Sequence, residues 1–506
     1  MEANKYYSPP RPLGQIFCGA LLFLLLACSP AGSDTQQADL LSFPFDDDIQ
    51  TDIPVHQDLE KIRNRGKLVA IVDNSSTSYF IYKGQPMGYE YELLSRLAKH
   101  LQVDLDIVIT TNLEEAFEKL QRGEGDIIAH NLTVTKARQE QIAFTMHHKE
   151  VRQVLVQRKP KGYSRLKHHQ IEDQLIRNPL DLAGKEVWVK ANSAHYSRLV
   201  NLSEEIGADI AIREEDPKLD VESTLKRVAE GEIDYAIADE NVARINAAYF
   251  KNLDVETAVS FPQRVAWGVR KNAPNLLGAV NNWISGIRKT PDYNVIYNRY
   301  FKNRTAMVNF ARSNFASING NQLSPYDKQI KKAAKSINWD WRELAAMVYQ
   351  ESKFNPEAES WMGAVGLLQL VPETAEIFGA EDPTIPEQNL KAGAAYINWL
   401  DGFWADDVAD PVERRKFIMA SFNVGQGHVL DACRLAKRFG KNPEKWNEVS
   451  EFLLKKSQPE FYNLPESKHG YCRGKEPVNY VKQIMQRANR YKQLITEEEP
   501  QLVAAI

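Results

Sequence analysis

Leu344, Met347, Val348 and Glu351 recur at helical spacing, so a helix beginning near Asp340 carries three apolar side chains and then a carboxylate on one face. A carboxylate at the end of an apolar stripe is costly unless it is paired, neutral or catalytic. Desolvation of that kind raises a carboxyl pKa, which is the property a general acid needs. Glu357, Glu359 and Glu373 follow closely, but at loop and first-turn positions where solvated or dipole-facing carboxylates are expected. Asn355-Pro356 ends the helix, a loop runs through Ser360 and Gly363, and Gly366 opens Gly-Leu-Leu-Gln-Leu. Pro372 then stands where a first helical turn begins.

The elements that must position Glu351 are helical. Ser324-Pro325 reads as an N-cap and first turn. Helical patterns cover 326–337, 341–352, 372–378, 386–404, 412–423 and 478–494, with no strong strand run among them. Residues 323–495 therefore read as a mainly α domain with a cleft. Residues 60–302 differ. A buried-strand run at 68–72, helical spacing at 91–101 and a second strand at 105–109 predict an α/β domain with a mostly parallel sheet. Its halves echo each other: Lys119-Leu120-Gln121-Arg122-Gly123-Glu124-Gly125-Asp126 returns as Arg227-Val228-Ala229-Glu230-Gly231-Glu232-Ile233-Asp234. Each copy is a helix end, a glycine turn and a strand entered at Asp, which predicts two similar lobes around a ligand cleft. Residues 267–270 read as a returning strand, 276–287 as the last lobe helix, and 297–301 close the unit. Asn, Ser and Gly cluster at 313–321, marking 303–322 as an inter-domain linker.

A chain of 506 residues, 43% hydrophobic and 26% charged, is an ordinary globular protein of two or three domains. A net charge of -4, with no basic arm, excludes a nucleic-acid partner. Lys5 and Arg11 precede an apolar run from 13 to 27 that is too short to span a membrane, so 1–28 reads as a signal segment. Residues 29–59 form an acidic flexible tether, and 496–506 a tail. Asp46-Asp47-Asp48 lacks the spaced oxygen ligands of a calcium loop, so neither metal nor cofactor is expected. Cys18 falls in the removable segment. Cys433 and Cys472 are expected to form a structural disulfide, the alternative being two buried thiols.

Three resemblances add function. Residues 351–375 read Glu-Ser-x-Phe-Asn-Pro-x-Ala-x-Ser-x-x-Gly-Ala-x-Gly-Leu-x-Gln-Leu-x-Pro-x-Thr-Ala, which resembles the signature of the soluble lytic transglycosylases, relatives of goose-type lysozyme. Ala420 to Gly427 is similar to that family's second motif, with Phe422 where Tyr is common and Asn423 in place. Lys475 to Val481 is similar to its third, with Pro477 replacing Thr and Tyr480 in the active-site position. The resemblance implies a lysozyme-like fold, Glu351 as catalytic acid, and Ser360 and Gln369 holding the N-acetyl and lactyl groups of a muramoyl residue. Phe422 and Asn423 would line the cleft, and Tyr480 would help stabilise the oxocarbenium-like state. One specified acid implies cleavage of the MurNAc-GlcNAc bond of peptidoglycan glycan strands without water, the muramoyl C6 hydroxyl closing on C1. The competing readings are a hydrolytic muramidase and a solute- or glycan-binding lipoprotein without catalysis.

Gly123 to Thr145 resembles the extracellular solute-binding proteins of the polar amino-acid family, implying a periplasmic-binding-protein-like domain. By that resemblance Arg138 forks onto a ligand carboxylate beside Thr133 and Ser193, and Asp239 accepts the ammonium, of an amino acid or muropeptide that regulates the enzyme. His130 and Asn131, and Lys190-Ala191-Asn192, depart from the family pattern. Finally, Leu25-Leu26-Ala27-Cys28 resembles a bacterial lipoprotein signal, implying lipid on Cys28; Ser29 implies the periplasmic face of the outer membrane.

Overall fold

The computed structural model describes residues 55–495, apart from 111, 192, 217–218, 304–308, 311–312 and 319. The signal segment, most of the tether, the tail, part of the linker, and Cys18 and Cys28 lie outside the described residues.

The apolar run after Lys67 forms an inner strand of a first lobe. Its strands are β1 (Lys67–Val72), β2 (Phe80–Tyr82), β3 (Gln85–Met87), β4 (Asp104–Ile109), β5 (Ile127–Ala129), β6 (Ala143–Phe144) and, returning late, β14 (Gly268–Val269). The main sheet runs β4-β1-β5-β14-β6, parallel at β4, β1 and β5, and β2 pairs with β3 as a hairpin. The second lobe holds β8 (Gln153–Arg158), β9 (Glu186–Val189), β10 (Ala211–Glu214), β11 (Tyr235–Asp239) and β12 (Leu253–Asp254), in the order β10-β9-β11-β8-β12. The chain crosses between lobes at β7 (Lys149–Val151) and β13 (Gln263–Val265), which pair antiparallel.

The repeat in the sequence is a repeat in the structure. Gly123 and Gly231 take left-handed backbone at φ 79° and 90°, turning helices Leu113–Gln121 and Val221–Glu230 into β5 and β11. In each lobe one arginine staples that turn. Arg270 donates to the carbonyls of Leu120 and Gly125 and pairs with Asp126; Arg158 donates to those of Val228 and Ile233 and pairs with Asp234. The first staple is fully buried, where a charge persists only with its partner. The inter-lobe crossing has its own anchor in Glu90, fully buried, which accepts from Lys149 Nζ at 2.9 Å, His148 Nε2 at 3.2 Å and Trp267 Nε1 at 2.8 Å. Burial alone would raise the Glu90 carboxyl, but His148 and Lys149 pull it down to about 2.

The C-terminal body is helical. Its acid helix (Trp341–Ser352) packs along a tyrosine helix (Lys475–Leu494) and against helix Asp327–Ser336, and helices Pro386–Trp404, Pro411–Val424, Gln426–Arg438 and Trp446–Lys455 complete the body around these three. Prolines at the first position of 372–377, 386–404 and 411–424 explain why those starts were legible. Ser324 is not a helix N-cap: its Oγ donates to Asp327 at 2.7 Å, closing a turn ahead of a helix that begins at Asp327.

The expected Cys433–Cys472 disulfide is absent, and both are free, buried thiols. Each serves the core as a small apolar group. Burial pushes the Cys433 thiol up to about 12 and raises that of Cys472, and a thiol held neutral is a poor reactant for oxidation.

The first lobe is packed directly on the helical body. Tyr491 Oη on the tyrosine helix donates to Gly84 O at 2.7 Å, at the tip of the β2–β3 hairpin. Gly84 has φ 76°, and a Cβ there would lie 2.5 Å from the Phe354 ring and 2.7 Å from that of Tyr349. The segment after the first lobe adds to the same edge: Lys83 N donates to Phe315 O and Ser317 N to Ile81 O, each at 2.9 Å. One apolar core therefore runs from β1 through Tyr300 into the helices, whereas the second lobe has apolar clusters of its own.

Candidate active site

Glu351 stands in the last turn of the acid helix, one turn beyond fully buried Met347 and Val348. Lys353 and Phe354 then take left-handed backbone, which stops the helix immediately after the acid. The helix is fixed at its start by buried Glu343, which pairs with Lys492 at 2.5 Å and Arg415 at 3.3 Å. From the tyrosine helix, Tyr480 Oη donates to Glu351 Oε1. Burial pushes the Glu351 carboxyl up to about 7, with the Tyr480 bond pulling the other way. Among the described residues no second carboxylate contributes to that shift. Glu357, Glu359 and Glu373 are all exposed.

The loop after the acid is braced from within. Ser352 Oγ donates to Leu367 O at 2.9 Å. Ser360 Oγ accepts from Ala364 N at 3.0 Å, leaving its hydroxyl proton to donate. Gln369, at φ 45°, donates Nε2 to Ala358 O at 2.8 Å and Gly366 O at 3.0 Å. The amide donors of Gln369 thus hold the loop. A Cβ on Gly366 would lie 2.2 Å from Pro383 O, so only glycine fits. Asn389, fully buried, fastens this loop by accepting from Leu368 N at 2.8 Å and donating to Val365 O at 3.0 Å and Pro383 O at 2.9 Å. Sequence reasoning missed Asn389, whose only signal is an amide on an otherwise apolar helix face.

Phe422 is half-buried and Asn423 exposed. The Phe422 ring lies 5.2 Å from that of Tyr396, which is 5.2 Å from Phe378 and stacks at 6.1 Å on half-exposed Trp399. Tyr396 and Trp399 were also missed, although aromatic residues three apart on one helix were there to be read. Trp361, at the tip of the active-site loop, is 94% exposed. Behind the second motif, buried Asp431 accepts from Lys456 Nζ at 2.7 Å, Arg434 at 2.9 Å, and the backbone of Lys468 and His469 at 3.1 and 2.8 Å.

The second cleft lies between the lobes. Thr133, Arg138, Ser193 and Asp239 line one cavity of about 100 Å³. Arg138 Nη1 donates to Thr133 O at 3.0 Å, and Asp239 accepts from His195 Nε2 at 3.1 Å and from Asn131 Nδ2, in the other lobe, at 2.5 Å. Burial lowers the Arg138 pKa, with Asp239 opposing. Ser193 Oγ is buried with no hydrogen-bond partner among the described residues.

Two lobes around a polar cavity, welded to a lysozyme-like helical body with one shielded acid, define a binding domain coupled to an enzyme domain. The family of bacterial extracellular solute-binding proteins, family 3, matches residues 68–303, and the Transglycosylase SLT domain matches residues 328–445. Membrane-bound lytic murein transglycosylase F of Desulfosudis oleivorans is 35% identical over 433 residues, covering 85% of this chain and 90% of its own. Its namesake in Pseudomonas putida is 33% identical over 448 residues, covering 88% of each chain. The chain belongs to the membrane-bound lytic murein transglycosylase F family.

Proposed function

We propose that the helical body is a peptidoglycan lytic transglycosylase in which Glu351 acts first as acid and then as base. Tyr480 donates to Oε1, so the carboxyl proton belongs on Oε2. Oε2 protonates the glycosidic oxygen as the bond to muramoyl C1 breaks. The carboxylate then takes the proton of the C6 hydroxyl, whose oxygen bonds to C1, giving a 1,6-anhydromuramoyl end and restoring the acid. The observation that supports this reading is a single shielded carboxyl, held by a tyrosine, whose pKa no second carboxylate among the described residues shifts. Ser360 and Gln369 Oε1 contact the muramoyl substituents, and Phe422 and Asn423 line the groove. Mass spectrometry of products from purified peptidoglycan tests the reaction: anhydro ends are expected, and reducing ends, heavier by one water, would establish a hydrolytic muramidase instead.

Glu351 must be protonated for the first step, so kcat/KM falls as pH rises through about 7. The Tyr480 bond favours the ionised form. Tyr480→Phe therefore moves this alkaline limb to higher pH, and a limb that stays in place would remove Tyr480 from the control of the acid.

The cleft between the lobes takes an α-amino acid or its equivalent in a muropeptide, the carboxylate on Arg138, Thr133 and Ser193 and the ammonium on Asp239. Its occupancy regulates the enzyme, because the first lobe rests on the helices that carry Glu351 and Tyr480. A ligand that binds without altering turnover would remove the regulatory role. Among the described residues no helix is long and apolar enough to cross a membrane. Attachment to the periplasmic face of the outer membrane falls to lipid on Cys28, and Cys28→Ser is expected to move the protein from the membrane to the soluble fraction.

A further inference from the structure

The cavity between the lobes holds more carboxylate than one α-amino-acid end requires. Arg138, Thr133, Ser193 and Asp239 account for a carboxylate and an ammonium, and the inference rests on that assignment. Asp73, Asp220 and Glu222 line the same cavity, with Lys190 as counter-charge. Glu222 lies in the first turn of helix Val221–Glu230 in the second lobe, and its Oε1 accepts from Ser76 N at 3.1 Å and Ser76 Oγ at 3.0 Å in the first lobe. Its Oε2 has no partner among the described residues although the residue is only 9% exposed. Asp73 Oδ1, just past β1, is likewise buried and without a hydrogen-bond partner among the described residues. His195, 8% exposed, leaves Nδ1 without a partner among the described residues while Nε2 holds Asp239. Desolvated carboxylate oxygens without donors are unfavourable, and donors brought by a ligand would relieve them. Burial and Asp220 push the Glu222 carboxyl up to about 7, so it ionises readily when a cation arrives.

We propose that Glu222 and Asp73 form a subsite for a second donor group, making the preferred ligand a diamino acid, an α-amino acid whose side chain ends in an ammonium. An aliphatic side chain leaves both oxygens unpaired, and an acidic one adds like charge. Because Glu222 also bridges to Ser76, the carboxylate that selects the side chain is one that ties the lobes together.

Isothermal titration of the full chain with L-lysine, L-ornithine, L-leucine and L-glutamate tests this. Lysine or ornithine should bind at least about tenfold more tightly than leucine or glutamate, the scale of one charge-assisted hydrogen bond. Glu222→Gln keeps an acceptor for Ser76 and should weaken lysine binding by about tenfold while leaving leucine unchanged. Asp73→Asn, which touches no inter-lobe bond, should weaken lysine in the same direction. Leucine or glutamate binding as tightly as lysine overturns the subsite and leaves the amino-acid assignment standing. No heat from any of the four ligands overturns the assignment of a free α-amino acid, and the subsite with it.

Discussion

Replacing Glu351 by Gln is expected to lower anhydromuropeptide formation by about 10²–10⁴-fold while leaving the fold intact. The amide keeps the oxygen that accepts from Tyr480, so the pairing of the acid and tyrosine helices is preserved. It cannot supply a proton at Oε2, nor receive one from the sugar. Removing an ionisable group from a shielded position should leave thermal stability equal or slightly higher, because the wild-type carboxyl is pushed up to about 7 by burial it cannot escape. Product yield and melting temperature measured together separate chemistry from folding. Anhydro products within about tenfold of wild type would transfer the acid role to another residue.

Asp431→Leu is expected to destabilise the protein by about 3–5 kcal/mol. Asp431 and Lys456 are both fully buried, and their 2.7 Å bond lies at the centre of a cluster that also caps the backbone of Lys468 and His469. Leucine removes the anion and leaves the Lys456 ammonium with His428 Nδ1, at 3.2 Å, as its remaining polar contact among the described residues. Breaking a buried pair on one side costs more than removing both partners, so Asp431→Leu with Lys456→Met should recover much of the loss. Denaturant midpoints for the two variants decide the matter. A single-variant loss below about 1 kcal/mol would mean that the Lys456 ammonium is not held in a dry site and that the pair contributes only as a surface ion pair does.

The placement of the first motif was legible because it is local. A stripe of Leu344, Met347 and Val348 fixes the face on which Glu351 emerges, and the prolines at 372 and 386 mark helix starts that no tertiary contact overrides. The internal repeat was legible for the same reason, being a helix end, a turn and a strand within eight residues of sequence. The features that escaped depend on distant partners. Asn389 is an unremarkable amide until it meets the active-site loop, and helix Gln426–Arg438 was hidden behind Gly425, whose φ of 84° separates two helices that the sequence runs together. Helix Trp446–Lys455 had a readable spacing of Trp446, Val449, Phe452 and Leu453, all buried, and was missed without that excuse. The disulfide expectation failed because export and cysteine number speak to oxidising conditions, whereas pairing depends on where the core places each thiol.

The continuous core beneath the β2–β3 hairpin changes where this protein can be divided. A gene truncated at 303–322 would release the helices with Tyr349, Phe354 and Tyr491 stripped of the hairpin that covers them. The second lobe, with apolar clusters of its own, is an insertion into a larger unit made of the first lobe and the helices. Its entry and exit strands leave side by side, since Val151 is the register partner of Gln263. A tight turn replacing 152–262 is therefore the deletion that keeps the shared core closed. In that minimal form the enzyme would retain its acid and tyrosine while losing the lobe that clasps the ligand.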